Sequence, residues 1–292
     1  MLTYDGVIGI IYLYKNKGLN ASESGSYMIF SASASWFSGD WYEKVSAAKK
    51  YGFKAVEELV WSYLDLSRAA DHLKRENITS SSLIIESTDP EINKYLEWEH
   101  GMVYEDSREP FIRAFRETVD ACLKLGVPNI VATCGNERFD VEREKQIGMV
   151  VSLLSEMGKI ASDSGLTVVF EPLNVIVDHM GYMVSTSKEA FDIIRRVDSP
   201  AVRVLFDIYH QQITEGNVIR NITENIDLIG HFHIADNPGR RQPGTGELNY
   251  VNIFDAIQKS GYRRYLAFEC GTTVPEDEIA RSMRDLIAPF ED

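Results

Sequence analysis

From Met28 onward one rhythm repeats: a short apolar run, a polar turn, then a longer segment with apolar residues three and four apart. The runs at 29–37, 55–60, 83–86, 130–133, 167–174 (the strand and its end), 202–206, 231–234 and 265–269 are predicted as strands. The segments 40–51, 66–75, 110–125, 142–162, 187–197, 218–228, 250–259 and 276–287 are predicted as helices. Gly52, Gly126 and Gly261 stand where helices should stop, Pro110 in a first turn, and Ser187 as a cap. Eight strand–helix units joined without a long linker predict an α/β fold, a (β/α)8 TIM barrel. A doubly wound open sheet would carry a glycine-rich turn after its first strand, and Ser31-Ala-Ser-Ala-Ser35 is not one.

Two stretches break the rhythm. Residues 1–27 hold one apolar patch, 6–14, followed by a polar run, and are expected to be an N-terminal extension preceding a single barrel domain over 28–292. The patch is too short for a membrane helix and lacks the basic flank and cleavage site of a signal peptide. Residues 87–109, with Trp98, His100, Gly101 and Tyr104, show no periodicity. A loop of that length inside a barrel is expected to be functional, and we expect an active-site lid.

The ends of the predicted strands carry the chemistry. Glu57 and Glu58 close the second, Glu86 the third, Glu171 the fifth, Asp207 the sixth, His233 the seventh and Glu269 the eighth. Barrel enzymes gather their reacting groups at these ends. Glu171, Asp207, His233 and Glu269 lie 36, 26 and 36 residues apart, about one strand–helix unit each. Alone, each would be read as a solvated rim acid or a core histidine. Together, three acids converging at one mouth need a cationic partner. Three carboxylates and an imidazole suit one divalent ion, Mn2+ or Mg2+, with Co2+ as an alternative. His231 and His233 alternate onto the same strand face, and His210 follows Asp207 by three residues.

Charge and cysteine content narrow the class. Lys plus Arg total 30 against 44 for Asp plus Glu, a net charge of −14, which disfavours a nucleic-acid partner. No apolar stretch reaches the roughly 18 residues a membrane helix needs, so no membrane partner is expected and a cytoplasmic location is the default. The three cysteines, Cys122, Cys134 and Cys270, form no CxxC pattern and are read as reduced thiols without a base partner.

Phe170-Glu-Pro-Leu-Asn174, Phe206-Asp-Ile-Tyr-His-Gln-Gln-Ile213, Glu215-Gly-Asn217, His231-Phe-His-Ile-Ala-Asp236 and the loop from Pro238 to Tyr250 resemble the hydroxypyruvate isomerase family, part of the xylose isomerase-like superfamily of sugar isomerases and epimerases. The likeness runs from about Met28 to the C-terminus and is strongest beyond Val168. It implies that Glu171 and Glu269 are paired acid/base carboxylates and metal ligands, and that Asp207 and His233 complete the ligand set. It implies that His210 and Arg240 hold substrate oxygens, and it groups Glu57, His100 and His231 with them as substrate contacts. It also implies a homo-oligomer, dimer or tetramer. His at 233, where the hydroxypyruvate isomerases carry Gln, resembles the ketose 3-epimerases, and position 100 carries His in place of Arg.

These residues support proton transfer next to a carbonyl. One carboxylate removes a weakly acidic C–H proton, a second group returns it, and a divalent cation spreads the enediolate charge. Return to the neighbouring carbon isomerises; return to the same carbon from the other face epimerises. The expected function is a metal-dependent isomerase of hydroxypyruvate or a related sugar or sugar acid, with a tagatose- or psicose-type 3-epimerase as the alternative. Two further readings are a non-catalytic sugar-binding barrel and an abasic-site endonuclease. The latter would need additional His ligands and a basic track, and the chain has 6 His.

Overall fold

The computed structural model describes residues 28–291, so the expectations for 1–27 lie outside the described residues. Nine parallel strands make one sheet: β1 Ile29–Ser33, β2 Ala55–Glu57, β3 Thr79–Ser80, β4 Ser82–Ile84, β5 Asn129–Ala132, β6 Thr167–Phe170, β7 Val202–Asp207, β8 Ile229–Ile234 and β9 Tyr265–Phe268. Their order is β3-β2-β1-β9-β8-β7-β6-β5-β4. Only Ser81 separates β3 from β4, so these two are halves of one stave. β3 pairs with β2 and β4 with β5, which closes the ring at eight staves.

The pleat decides which side chains enter the barrel. Phe170, Phe206, Phe232 and Phe268, all buried, belong to the large cluster between strands and helices. Phe206 packs edge-tilted on Phe232, and Phe30 stacks on Phe268. Successive residues point to opposite faces, so the residue after each of these four phenylalanines turns toward the barrel axis. Those residues are Glu171, Asp207, His233 and Glu269. Inside the ring a smaller cluster of Val131, Val169 and Leu205 fills the floor below them.

A bulge on β8 sets the register of the site. Val204 pairs with Ile229 but Leu205 pairs with His231, leaving Gly230 as the extra residue, and Asp207 then lies beside His233. In an unbroken ladder Asp207 would lie beside Phe232. Only glycine fits here: a Cβ on Gly230 would come within 2.8 Å of both Arg203 and Val169.

The helices on the outside are α1 Trp41–Lys50, α2 Leu66–Glu76, α3 Pro90–Asn93, α4 Arg108–Leu125, α5 Arg143–Ser164, α6 Ser187–Val197, α7 Ile208–Thr214, α8 Val218–Glu224, α9 Tyr250–Lys259 and α10 Glu276–Ile287. Asp40 and Glu43 form a reciprocal capping box on α1. The cap of α6 is Thr186, whose hydroxyl accepts from the Glu189 amide, and not Ser187. Ser187 is instead bonded through its own amide and hydroxyl to Glu215. Strand lengths contract from the predicted bounds: residues 34–36 form a 3-10 turn after β1, and β2 ends at Glu57. The predicted helix over 218–228 splits into α8 and a 3-10 turn, and α7 was not anticipated. His72 on α2 is buried and bonded to the Tyr42 carbonyl and the Ser46 hydroxyl.

Candidate active site

Four elements deliver four side chains to one point at the C-terminal end of the barrel. One oxygen or nitrogen from each of Glu171, Asp207, His233 and Glu269 lies within 4.8 Å of the other three. His233 is the hub: its Nδ1 stands 3.3 Å from Glu171 Oε1 and 3.1 Å from Glu269 Oε2. Asp207 uses its two oxygens differently. Oδ1 caps α7 by accepting from the Tyr209 and His210 amides at 2.8 and 3.3 Å, while Oδ2 has no hydrogen-bond partner. The short helix therefore begins at a site residue, and it carries His210 to within 3.4 Å of Asp207 Oδ2.

The electrostatics mark this as a place for positive charge. Burial favours a neutral His233 ring, but the carboxylates of Glu269 and Glu57 raise its pKa well above the ordinary imidazole value. The two carboxylates opposite each other differ. Burial, helped by the neighbouring Glu269 and Asp207 charges, raises Glu171 against the pull of His233. Burial also acts on Glu269, but His233 and Arg240 outweigh it and bring that carboxyl down to about 2. Glu171 Oε1, Asp207 Oδ2 and His233 Nδ1 are buried without hydrogen-bond partners. A divalent cation with bonds of about 2.1 Å has neighbouring ligands about 3 Å apart, close to the separations around His233. The residues present fit a metal ion.

Arg240 closes one side. Its guanidinium donates to Glu269 Oε2 at 2.5 Å, lies 3.6 Å from Asp207 Oδ2, and covers the Tyr209 ring at 5.5 Å. The loop carrying it is built round buried Asp236, which accepts from the amides of Asn237, Gly244, Gly246 and Leu248. Arg240 itself adopts a left-handed backbone at φ 52, a conformation that non-glycine residues hold only under surrounding constraint. Beside it a cleft of about 370 Å³ opens between Ser33, Ser35, Glu58 and Glu269. Glu269 is a third exposed there, whereas Glu171 and Asp207 are buried.

On the other side stands an aromatic wall. Trp98, 39% exposed, lies 5.1 Å from the His179 ring, which in turn lies 5.2 Å from His210. The 87–109 stretch is not without structure: it contains α3 and two 3-10 turns, and it docks on the end of β5. The Met102 amide donates to the Cys134 carbonyl, and the Trp98 carbonyl accepts from the Asn136 amide. His100 takes Tyr95 and Tyr104 as its ring partners, while its neighbour Trp98 faces the site.

The remaining sequence candidates sort by place. Glu57 and His231 sit beneath His233, with Glu57 Oε1 3.0 Å from His233 Nε2 and Glu57 Oε2 2.9 Å from His231 Nε2. Glu58 pairs with Lys44, and Glu86 accepts from the backbone amides of Trp61 and Ser62. Trp36 and Trp61 are core residues. Asn174, at the end of the Phe170–Asn174 motif, has a role that its position in the sequence does not reveal. Its side-chain amide donates to His210 Nδ1 at 2.7 Å and to Asp178 Oδ2 at 2.8 Å, which leaves the His210 proton on Nε2, toward Asp207. A buried amide just past a strand end was the only signal.

The family model described as xylose isomerase-like TIM barrel matches residues 45–289. The chain belongs to that family. Hydroxypyruvate isomerase of Escherichia coli (strain K12) is 27% identical over 246 residues, covering 82% of this chain and 92% of that one. The 3-dehydro-D-guloside 4-epimerase of the same organism is 36% identical over 140 residues, 48% of this chain and 51% of that one. The crystal structure of AP endonuclease, family 2 from Brucella melitensis superposes with a TM-score of 0.77 at 28% identity, covering 90% of this chain and 99% of that one. Among such relatives, this family member is an enzyme of the isomerase and epimerase type.

Proposed function

We propose that this chain is a divalent-metal-dependent isomerase that moves a proton between the carbons flanking a carbonyl, acting on hydroxypyruvate or a related small sugar or sugar acid. The convergence of Glu171, Asp207, His233 and Glu269 on one point carries the reading. Three carboxylates with one imidazole favour Mn2+ or Mg2+, with Co2+ as an alternative. When bound, such an ion supplies Lewis-acid stabilisation of the oxygen charge that develops as the C–H proton leaves.

The chain's own groups do the rest. Glu269, a third exposed to the cleft, and Glu171, which meets the same His233 nitrogen, are the two carboxylates placed to take a proton and return one. His210, oriented by Asn174, and Arg240, fixed by its loop, hold substrate oxygens. Trp98 and His179 supply an apolar face against which carbon-bound hydrogens pack. A second reading, an epimerase, draws support from the relative named 3-dehydro-D-guloside 4-epimerase, and the resemblance of His at position 233 to the ketose 3-epimerases favours the 3-epimerase form of it. A nuclease reading is disfavoured by charge, since a net −14 works against binding a phosphate backbone.

The test is solvent deuterium exchange, read by NMR across hydroxypyruvate and a panel of ketoses. Wash-in at a carbon next to the carbonyl is expected, and its position separates isomerase from epimerase. Glu171→Gln and Glu269→Gln should each slow exchange by a factor on the order of 10²–10⁴ with the fold retained. Wild-type rates in either variant would remove the two-carboxylate mechanism.

A further inference from the structure

Glu57 and His231, expected to touch substrate, sit behind His233, with His231 wholly buried and Glu57 showing only its edge to the cleft beside Arg240. Glu57 is 5% exposed, and Ser81, Ser82, His231 and His233 are fully buried. Glu57 Oε2 accepts from the Ser81 hydroxyl at 2.8 Å and from the Ser82 hydroxyl, and it meets His231 Nε2 at 2.9 Å. The break between β3 and β4 falls on Ser81, so the split stave is what turns two consecutive hydroxyls toward one carboxylate. Burial alone would raise the Glu57 carboxyl; His233 and His231 instead hold it well below the usual carboxylate range.

The other oxygen faces the hub. Glu57 Oε1 is 3.0 Å from Nε2 of His233, on the opposite edge of the ring from Glu171 and Glu269. Both atoms are buried, and neither has a hydrogen-bond partner elsewhere. An imidazole that offers one nitrogen to a cation must carry its proton on the other, and a carboxylate behind the ring fixes that choice and raises the basicity of the ligating nitrogen. Here the only carboxylate meeting Nε2 among the described residues is Glu57.

We propose that Glu57 is a positioning residue: it holds the His233 proton on Nε2 and so presents Nδ1 to the cation site, with His231, Ser81 and Ser82 fixing the carboxylate in turn. This rests on the metal-dependent reading above. The competing arrangement is a second cation among Glu57, His231 and His233, whose ligand atoms also lie within 4.8 Å of one another. Three donors already converge on Glu57 Oε2, and a cation there would have to displace the His231 N–H.

Calorimetric titration of the metal-free full chain with Mn2+ tests this. The wild type should bind one ion, and Glu57→Gln, which keeps shape and removes charge, should bind it about 10–100-fold more weakly. The melting temperature of the metal-free variant should stay close to that of the wild type, a result a purely structural role would not give. Binding within threefold of wild type, or two ions per chain in the wild type, would overturn the proposal. Should Glu57→Gln fail to fold, imidazole nitrogen NMR of the Zn2+-loaded wild type decides: a proton on His233 Nε2 supports the assignment, and a proton on Nδ1 sinks it. A wild type that binds no metal would remove the metal-dependent reading itself, whereas tight wild-type binding with an unaltered variant removes the Glu57 role alone.

Discussion

Metal removal bears most directly on the cluster around His233, and its size can be worked from the unpartnered atoms. Glu171 Oε1, Asp207 Oδ2 and His233 Nδ1 are buried without hydrogen bonds. Each such group costs roughly 1–3 kcal/mol, so a ligand satisfying all three has roughly 3–9 kcal/mol to recover. Linkage bounds the same quantity independently: an ion at 1,000 times its Kd adds about 4 kcal/mol to the unfolding free energy. The linkage figure lies within that range and is the one the assay reads. Chains of roughly 150–250 residues shift by about 2–4 °C per kcal/mol and longer chains by less, so the melting temperature should rise by about 6–8 °C. The assay is thermal denaturation after chelation, with elemental analysis confirming a metal-free start, followed by addition of Mn2+, Mg2+, Co2+ or Zn2+ in turn. His233→Ala should lose most of the rise, because it removes the nitrogen nearest both Glu171 and Glu269. A metal-free wild type whose melting point moves by less than about 2 °C with every ion would refute the cation site, since uncompensated buried acids cannot ignore a bound divalent charge.

Two further outcomes follow from the surroundings of the site. Gly101 holds a left-handed φ of 67, and a Cβ there would stand 2.3 Å from the Cys134 carbonyl oxygen. Gly101→Ala should therefore lower stability by about 1–3 kcal/mol and raise KM as the Trp98 wall shifts; an unchanged melting curve would show that the docked loop is not constrained as described. Burial pushes the Cys134 and Cys270 thiols up to about 12, and Cys122 higher still. In the native protein at pH 8 all three should resist a disulfide reagent for many minutes and react once unfolded. Rapid native labelling with loss of activity would reopen a covalent role for a thiol.

The eight-fold alternation was legible because strand and helix periods differ; α9 and α10 keep the predicted bounds, and Gly261 follows the end of α9. The four convergent residues were legible because each ends an apolar run. What the sequence by itself determined is the set of chemical groups and their spacing, one per strand. The tertiary structure alone decided their arrangement. The Gly230 bulge slides His233 next to Asp207, and a single misplaced residue is invisible to a period-two pattern. Asp207 starts α7 with one oxygen and faces the site with the other, a division that depends on where the chain turns. Asn174 orients His210 across 36 residues, and Ser81 and Ser82 reach Glu57 across 24 and 25. Such contacts exist only once the ring has closed, because hydrogen bonds between distant side chains leave no period along the chain.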